Sequence, residues 1–175
     1  AEFLDKSGVV TGVGDVNGDG FDDVLVGAPL ADAADNGTYD AGESYLIFGG
    51  SSLTATIDLA NPGAAGVIIY GADIGDNSGF SVSRAGDFNG DGFGDLLIGA
   101  RYADGEENTK SAAGESYIIF GGSSLPASIN LADLGVSGIE ISGANANDRS
   151  GFSVSNAGDM NGDGLAGNDL LYIPK

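Results

Sequence analysis

The sequence predicts an all-β fold made of four-stranded antiparallel units, repeated about two and a half times along the chain. Three observations predict it. Long blocks return at one fixed offset, short apolar runs are punctuated by glycine, and no stretch of ten or more residues carries helical periodicity.

The offset is 72 residues. Ala41 to Leu53 recurs as Ala113 to Leu125 with a single change, Leu46 to Ile118. An acidic loop begins at Asp15 and begins again at Asp87 and Asp159. Asp76-Asn77-Ser78-Gly79-Phe80-Ser81-Val82-Ser83 returns as Asp148-Arg149-Ser150-Gly151-Phe152-Ser153-Val154-Ser155. Three independent blocks sharing one period mark a tandem array.

Within one period each element follows from its punctuation. Residues 80–85 read as a first strand, closed by the acidic loop from Asp87 to Asp95. Residues 96–99, apolar on both faces, read as a second, buried strand. Residues 116–120 form a third, ended by the Gly121-Gly122 turn, and 139–141 alternate as a half-exposed edge strand. Between these last two, 129–131 make a minor extended segment. A unit of four antiparallel strands is the size of one β-propeller blade. Residues 1–175 then form one segment with repeats at about 3–77, 78–149 and a partial 150–175. Propellers use about four to eight blades, so the expectation is an incomplete ring. Further sequence or neighbouring chains must cover its ends. A fragment of a longer propeller, a ring of several chains and an open filament all fit.

Composition narrows the function. With 26 Asp plus Glu against 6 Lys plus Arg, the formal net charge is −20. Nucleic acid is excluded as a partner, because phosphate binding needs a basic surface. No apolar stretch approaches the roughly 20 residues of a membrane span, so no membrane insertion is expected. The chain has no Cys and no His, which removes zinc fingers, thiol nucleophiles and His-based triads. Clustered carboxylates are tolerated best with a cation among them.

The acidic loops supply a place for one. In Asp15-Val16-Asn17-Gly18-Asp19-Gly20-Phe21-Asp22-Asp23, side-chain oxygens fall at positions 1, 3, 5 and 9, with glycine at 4 and 6. Position 7, Phe21, would offer its carbonyl while its ring enters the core. This is hard-cation chemistry and points to Ca2+ held by Asp15, Asn17, Asp19, Phe21 and Asp23. Asp87, Asn89, Asp91, Phe93 (carbonyl) and Asp95 repeat the set. An EF-hand is excluded, because position 12 is Val26 or Ile98 inside an apolar run rather than a glutamate. The third loop keeps Asp159, Asn161, Asp163 and Leu165 (carbonyl), but Gly167 stands at position 9. Asp169, two residues on, is the candidate replacement, and this site is expected to be weaker or altered.

The combination of Gly79-Phe80-Ser81-Val82-Ser83, Gly86-Asp87-Phe88-Asn89-Gly90-Asp91-Gly92 and Leu96-Leu97-Ile98-Gly99-Ala100 resembles the FG-GAP repeats of integrin α-subunit propellers and bacterial surface proteins. Gly27-Ala28-Pro29 spells the second half of the motif, whereas Phe80-Ser81 departs from the usual Phe-Gly and the period is long for the family. The resemblance implies a β-propeller with calcium between the first and second strands of each blade. It also implies an extracellular or cell-surface setting and a role in adhesion or recognition of a protein or glycan.

Other polar residues are read as structural. Glu43 and Glu115, with Tyr45 and Tyr117, occur in every full repeat, as blade-forming residues would. Arg84 and Arg101 are expected to pair with carboxylates. No catalytic set stands outside the repeat, so the chain is read as non-enzymatic. An adhesion or recognition module leads, a self-assembling structural subunit follows, and part of a secreted polysaccharide-active enzyme comes last.

Overall fold

The computed structural model describes residues 8–32 and 39–156. Among these residues nine strands are formed: β1 Val9–Gly14, β2 Asp23–Ala28, β3 Glu43–Ile47, β4 Gly66–Tyr70, β5 Ser78–Gly86, β6 Asp95–Ala100, β7 Glu115–Ile119, β8 Ser128–Asn130 and β9 Gly138–Ser142. Among the described residues the only helical turns are short 3-10 segments, such as Gly63–Ala65 and Leu131–Asp133. The fold is all-β, as the punctuation of the sequence predicts.

Strands β1 to β4 form one antiparallel blade and β5, β6, β7 and β9 a second. The registers repeat with the sequence. Leu25 pairs with Leu46 and Leu46 with Val67 in the first blade; Leu97 pairs with Ile118 and Ile118 with Ile139 in the second. The 72-residue offset is therefore the rise from one blade to the next.

The core lies between the blades. Val13, Leu25, Leu46 and Ile69 of the first blade cluster with Val82, Leu96, Ile98 and Tyr117 of the second. β5 lies against β1 and β2. The approach is close because glycine faces backbone: a Cβ added at Gly27 would fall 2.2 Å from the Gly79 carbonyl oxygen. Every residue of β6 is buried. The first blade covers one of its faces, and Val154, opening the third repeat, clusters with Leu97 and Ile118 on the other. The apolar character of residues 96–99 on both faces has this cause. Of the third repeat, residues 150–156 are described and continue the pattern, with Ser150 bridged in parallel to Gly114. Its remaining strand and its acidic loop lie outside the described residues.

One element departs from expectation. The minor segment between β7 and β9 does not stay with its own blade. As β8 it pairs in parallel with β4, Ile129 beside Ile69, and gives the first blade a fifth strand. The physical reason is that β4 is an edge whose backbone groups need partners. The loop of the following blade supplies them and buries Ile129 and Leu131 in the inter-blade core.

Candidate functional site

Both described acidic loops stand at one end of the fold, each joining the first and second strands of its blade. In the first loop, Asp15 organises the turn. Its Oδ1 accepts from the Gly18 and Asp19 amides at 2.7 and 3.0 Å, and its Oδ2 from the Gly20 amide at 2.9 Å. Asn17 Oδ1 accepts from the Asp19 amide and Asp19 Oδ1 from the Phe21 amide, both at 2.9 Å. Asn17 Nδ2 donates to Asp19 Oδ2 at 3.1 Å. Gly18 and Gly20, at φ +78° and +90°, take the left-handed backbone that lets these amides turn inward.

The second loop repeats the framework. Asp87 accepts from the Asp91 and Gly92 amides, each at 2.9 Å; Asn89 accepts from Asp91 and Asp91 from Phe93, each at 3.0 Å. Two loops of unrelated flanking sequence would not reproduce this set. The shared spacing of Asp, Asn and Gly imposes it.

The acids at position 9 differ from the others. Asp23 and Asp95 are buried, whereas Asp19 and Asp91 are exposed. The Val16 amide donates to Asp23 Oδ2 at 2.9 Å and the Gly49 amide to Oδ1 at 2.8 Å. Asp95 is held in the same way by Phe88 and Gly121. Each thus ties its loop to the turn after the third strand. Burial pushes the Asp23 carboxyl above its ordinary range and the Asp95 carboxyl to about 6, against the lowering effect of these amides. Spacing reasoning saw these acids only as ligands and missed their tie to a turn 26 residues away.

The loops are also joined to each other. The Gly94 amide donates to the Asp15 carbonyl at 3.0 Å and the Gly122 amide to the Val16 carbonyl at 2.9 Å. The Phe93 ring lies against Gly18. Here the expectation that the position-7 ring enters the core is corrected. Phe21 is 43% exposed, because a position-7 ring rests on the loop of the blade before it, and no such blade precedes Phe21 among the described residues.

The donors gathered in each loop are oxygens alone, a set suited in kind to a hard divalent cation. Among the described residues, no group of three or more His, Cys, Asp or Glu side chains is already drawn together around a metal-sized space. Closure around an ion would use the exposed oxygens of Asp19 and Asp91 and the position-7 carbonyls. Asp159, Asn161, Asp163, Leu165 and Asp169 lie outside the described residues.

Elsewhere, the Tyr45 hydroxyl donates to Glu43 and the Tyr117 hydroxyl to Glu115, each two residues away on the same strand, a pairing the repetition did not reveal. Arg101 is a correction. Its guanidinium stacks on Phe80, 3.6 Å from the ring centroid, and near Tyr102 at 4.4 Å, and its Nε has no hydrogen-bond partner. The aromatic rings replace the expected carboxylate. No helix among the described residues is long and apolar enough to cross a membrane.

Comparison with known proteins agrees with this geometry. Residues 7–47 and 78–119 match the FG-GAP repeat model, each segment running from the first strand of a blade through its third. The chain is 33% identical to integrin alpha-PS2 of Drosophila melanogaster over 170 residues, 92% of this chain and 11% of that protein. It is 30% identical to integrin alpha pat-2 of Caenorhabditis elegans over 159 residues, 87% of the chain and 12% of the relative. Against integrin alpha-8 of Mus musculus the figure is 34% over 100 residues, 56% of the chain and 9% of the relative. The chain thus spans about a tenth of the length of these relatives. With two matched segments in phase with two blades and one loop framework in both, the chain carries tandem repeats of the FG-GAP family and belongs to it.

Proposed function

We propose that the chain is a calcium-stabilised propeller segment of an extracellular or cell-surface protein that acts in adhesion or recognition rather than catalysis. The observation that carries the calcium reading is the duplicated loop framework. Asp15, Asn17, Asp19, the Phe21 carbonyl and Asp23 would hold one ion, and Asp87, Asn89, Asp91, the Phe93 carbonyl and Asp95 a second. The third set, Asp159, Asn161, Asp163, the Leu165 carbonyl and Asp169, would bind more weakly. Calcium would neutralise carboxylates crowded into loops of a chain with net charge −20. Kinship with integrin α chains supports adhesion or recognition of a protein or glycan.

Calorimetric titration of the calcium-free chain tests the metal reading. Two comparable sites and a weaker third are expected; no calcium uptake at millimolar concentration would overturn it. Binding to immobilised glycans and matrix proteins, present with calcium and lost with chelator, tests the recognition reading.

A further inference from the structure

We infer that the outer edge of β9 is an acceptor for a parallel strand donated by another repeat of this kind, and that residues 56–58 are such a donor. The template is on the molecule. Ile68, Ile69 and Tyr70 of β4 pair with Ser128, Ile129 and Asn130 of β8. One period on, the β4 positions become Glu140, Ile141 and Ser142 of β9. One period back, the β8 positions become Thr56, Ile57 and Asp58.

The covered position is also the more buried one, its face being packed by the second blade as well as by β8. Val67 of the covered strand is 1% exposed, and its counterpart Ile139 is 39% exposed. Ile69 is fully buried and Ile141 only half-buried. The donors divide in the same way: Ile129 is buried, Ile57 half-buried, and Thr56 and Asp58 exposed. Both donors nevertheless carry the same local cap. The Ala132 amide donates to Asn130 Oδ1 at 3.0 Å, and the Ala60 amide to Asp58 Oδ1 at 3.1 Å. Among the described residues, 56–58 thus carry the donor's cap with no strand beside them, while β9 ends its sheet with one neighbour. An open edge of this kind binds extended chain by strand addition, and alternate side chains set the specificity. The occupant that fits is a Ser-Ile-Asn-Leu type segment, from the loop between the third and fourth strands of another FG-GAP-type repeat.

The absence of cysteine makes a trapping experiment clean. A peptide of residues 123–134 carrying Ser128→Cys is offered to the full chain bearing Glu140→Cys, and separately to the chain bearing Ile68→Cys. Paired strands run about 4.8 Å apart, within disulfide reach. Trapping at position 140 should be roughly tenfold or more faster than at position 68, where β8 already occupies the edge, since a docked peptide raises the local thiol concentration. Ile129→Lys in the peptide should remove the preference. A second pair, Ser142→Cys with peptide Asn130→Cys, checks the register if the first variant folds poorly. Equal trapping at 140 and 68, or trapping indifferent to Ile129→Lys, would overturn the inference.

Discussion

The ring of Phe93 rests on Gly18, so that a Cβ added to Gly18 would fall 2.5 Å from the ring edge. The contact joins two acidic loops of different blades and is flanked by the hydrogen bond from the Gly94 amide to the Asp15 carbonyl. A change in one loop is therefore felt in the other. Gly18→Ala should destabilise the chain by about 1–3 kcal/mol, since it combines a left-handed backbone with displacement of the ring. Gly20→Ala has the backbone strain but meets nothing within 4 Å, and should cost less. Denaturant titration of the two variants side by side checks the order.

Gly27→Ala tests the approach of the blades without a backbone complication, because Gly27 is not at positive φ. Its new methyl would meet a carbonyl oxygen rather than a yielding side chain. The sheets must part, with an expected loss of about 1–3 kcal/mol. A melting temperature equal to that of the parent chain would refute this account of the interface.

Asp19 and Asp23 should separate calcium binding from folding. Asp19 is exposed, and its amide contact is worth about 1 kcal/mol. Asp19→Ala should melt almost normally in chelator yet lose its loop's response to calcium. That response should be about 1.4–2.7 kcal/mol per site at 10 mM calcium, for dissociation constants of about 10⁻⁴ to 10⁻³ M. Asp23→Ala strands two amides, Val16 and Gly49, and should cost about 2–5 kcal/mol even in chelator. Asp91→Ala should behave as Asp19→Ala, and Asp163→Ala should change total calcium affinity less than either. Thermal melts with and without calcium decide each case.

How far these loops were legible in the sequence depends on what each residue answers to. Asp15, Asn17 and Asp19 answer to their own turn, and spacing alone placed them. Asp23 answers also to Gly49, and Phe93 to Gly18 of the neighbouring blade, which no local pattern encodes. Phe21 and Phe93 occupy the same motif position yet differ in exposure, because the preceding blade decides the matter. The four strands of each blade were legible from alternation and glycine. Where β8 would pair was not, since three residues carry no sign of which edge they will join. Arg101 was misread because charge balance favoured a carboxylate, while the fold brought Phe80 and Tyr102 to it.

The pH dependence of stability should carry the mark of Asp76. Burial, with Glu115 nearby, raises its carboxyl from 3.8 to about 7, and burial raises Glu115 as well. A folded-state value above the unfolded one means that folding takes up protons. The resulting cost is absent below the unfolded value, grows as pH rises, and is complete above about 7. Asp76→Asn can still accept from the Asp73 amide and should remove this cost. The variant should be more stable than the parent at pH 8, by on the order of a few kcal/mol, and equal to it near pH 3. A constant difference across that range would exclude Asp76 as the titrating group.

The parallel pairing of β4 with β8 also gives the array a direction of unravelling. The outer strand of the first blade cannot peel away until the following blade releases its loop, whereas β9 has no such latch among the described residues. Local opening should begin at β9 and travel toward the first blade, each release unlocking the strand behind it. Amides of β9 should then exchange with solvent ahead of their counterparts in β4. Blades of related sequence thus acquire unequal lifetimes according to whether a following loop latches their outer strand.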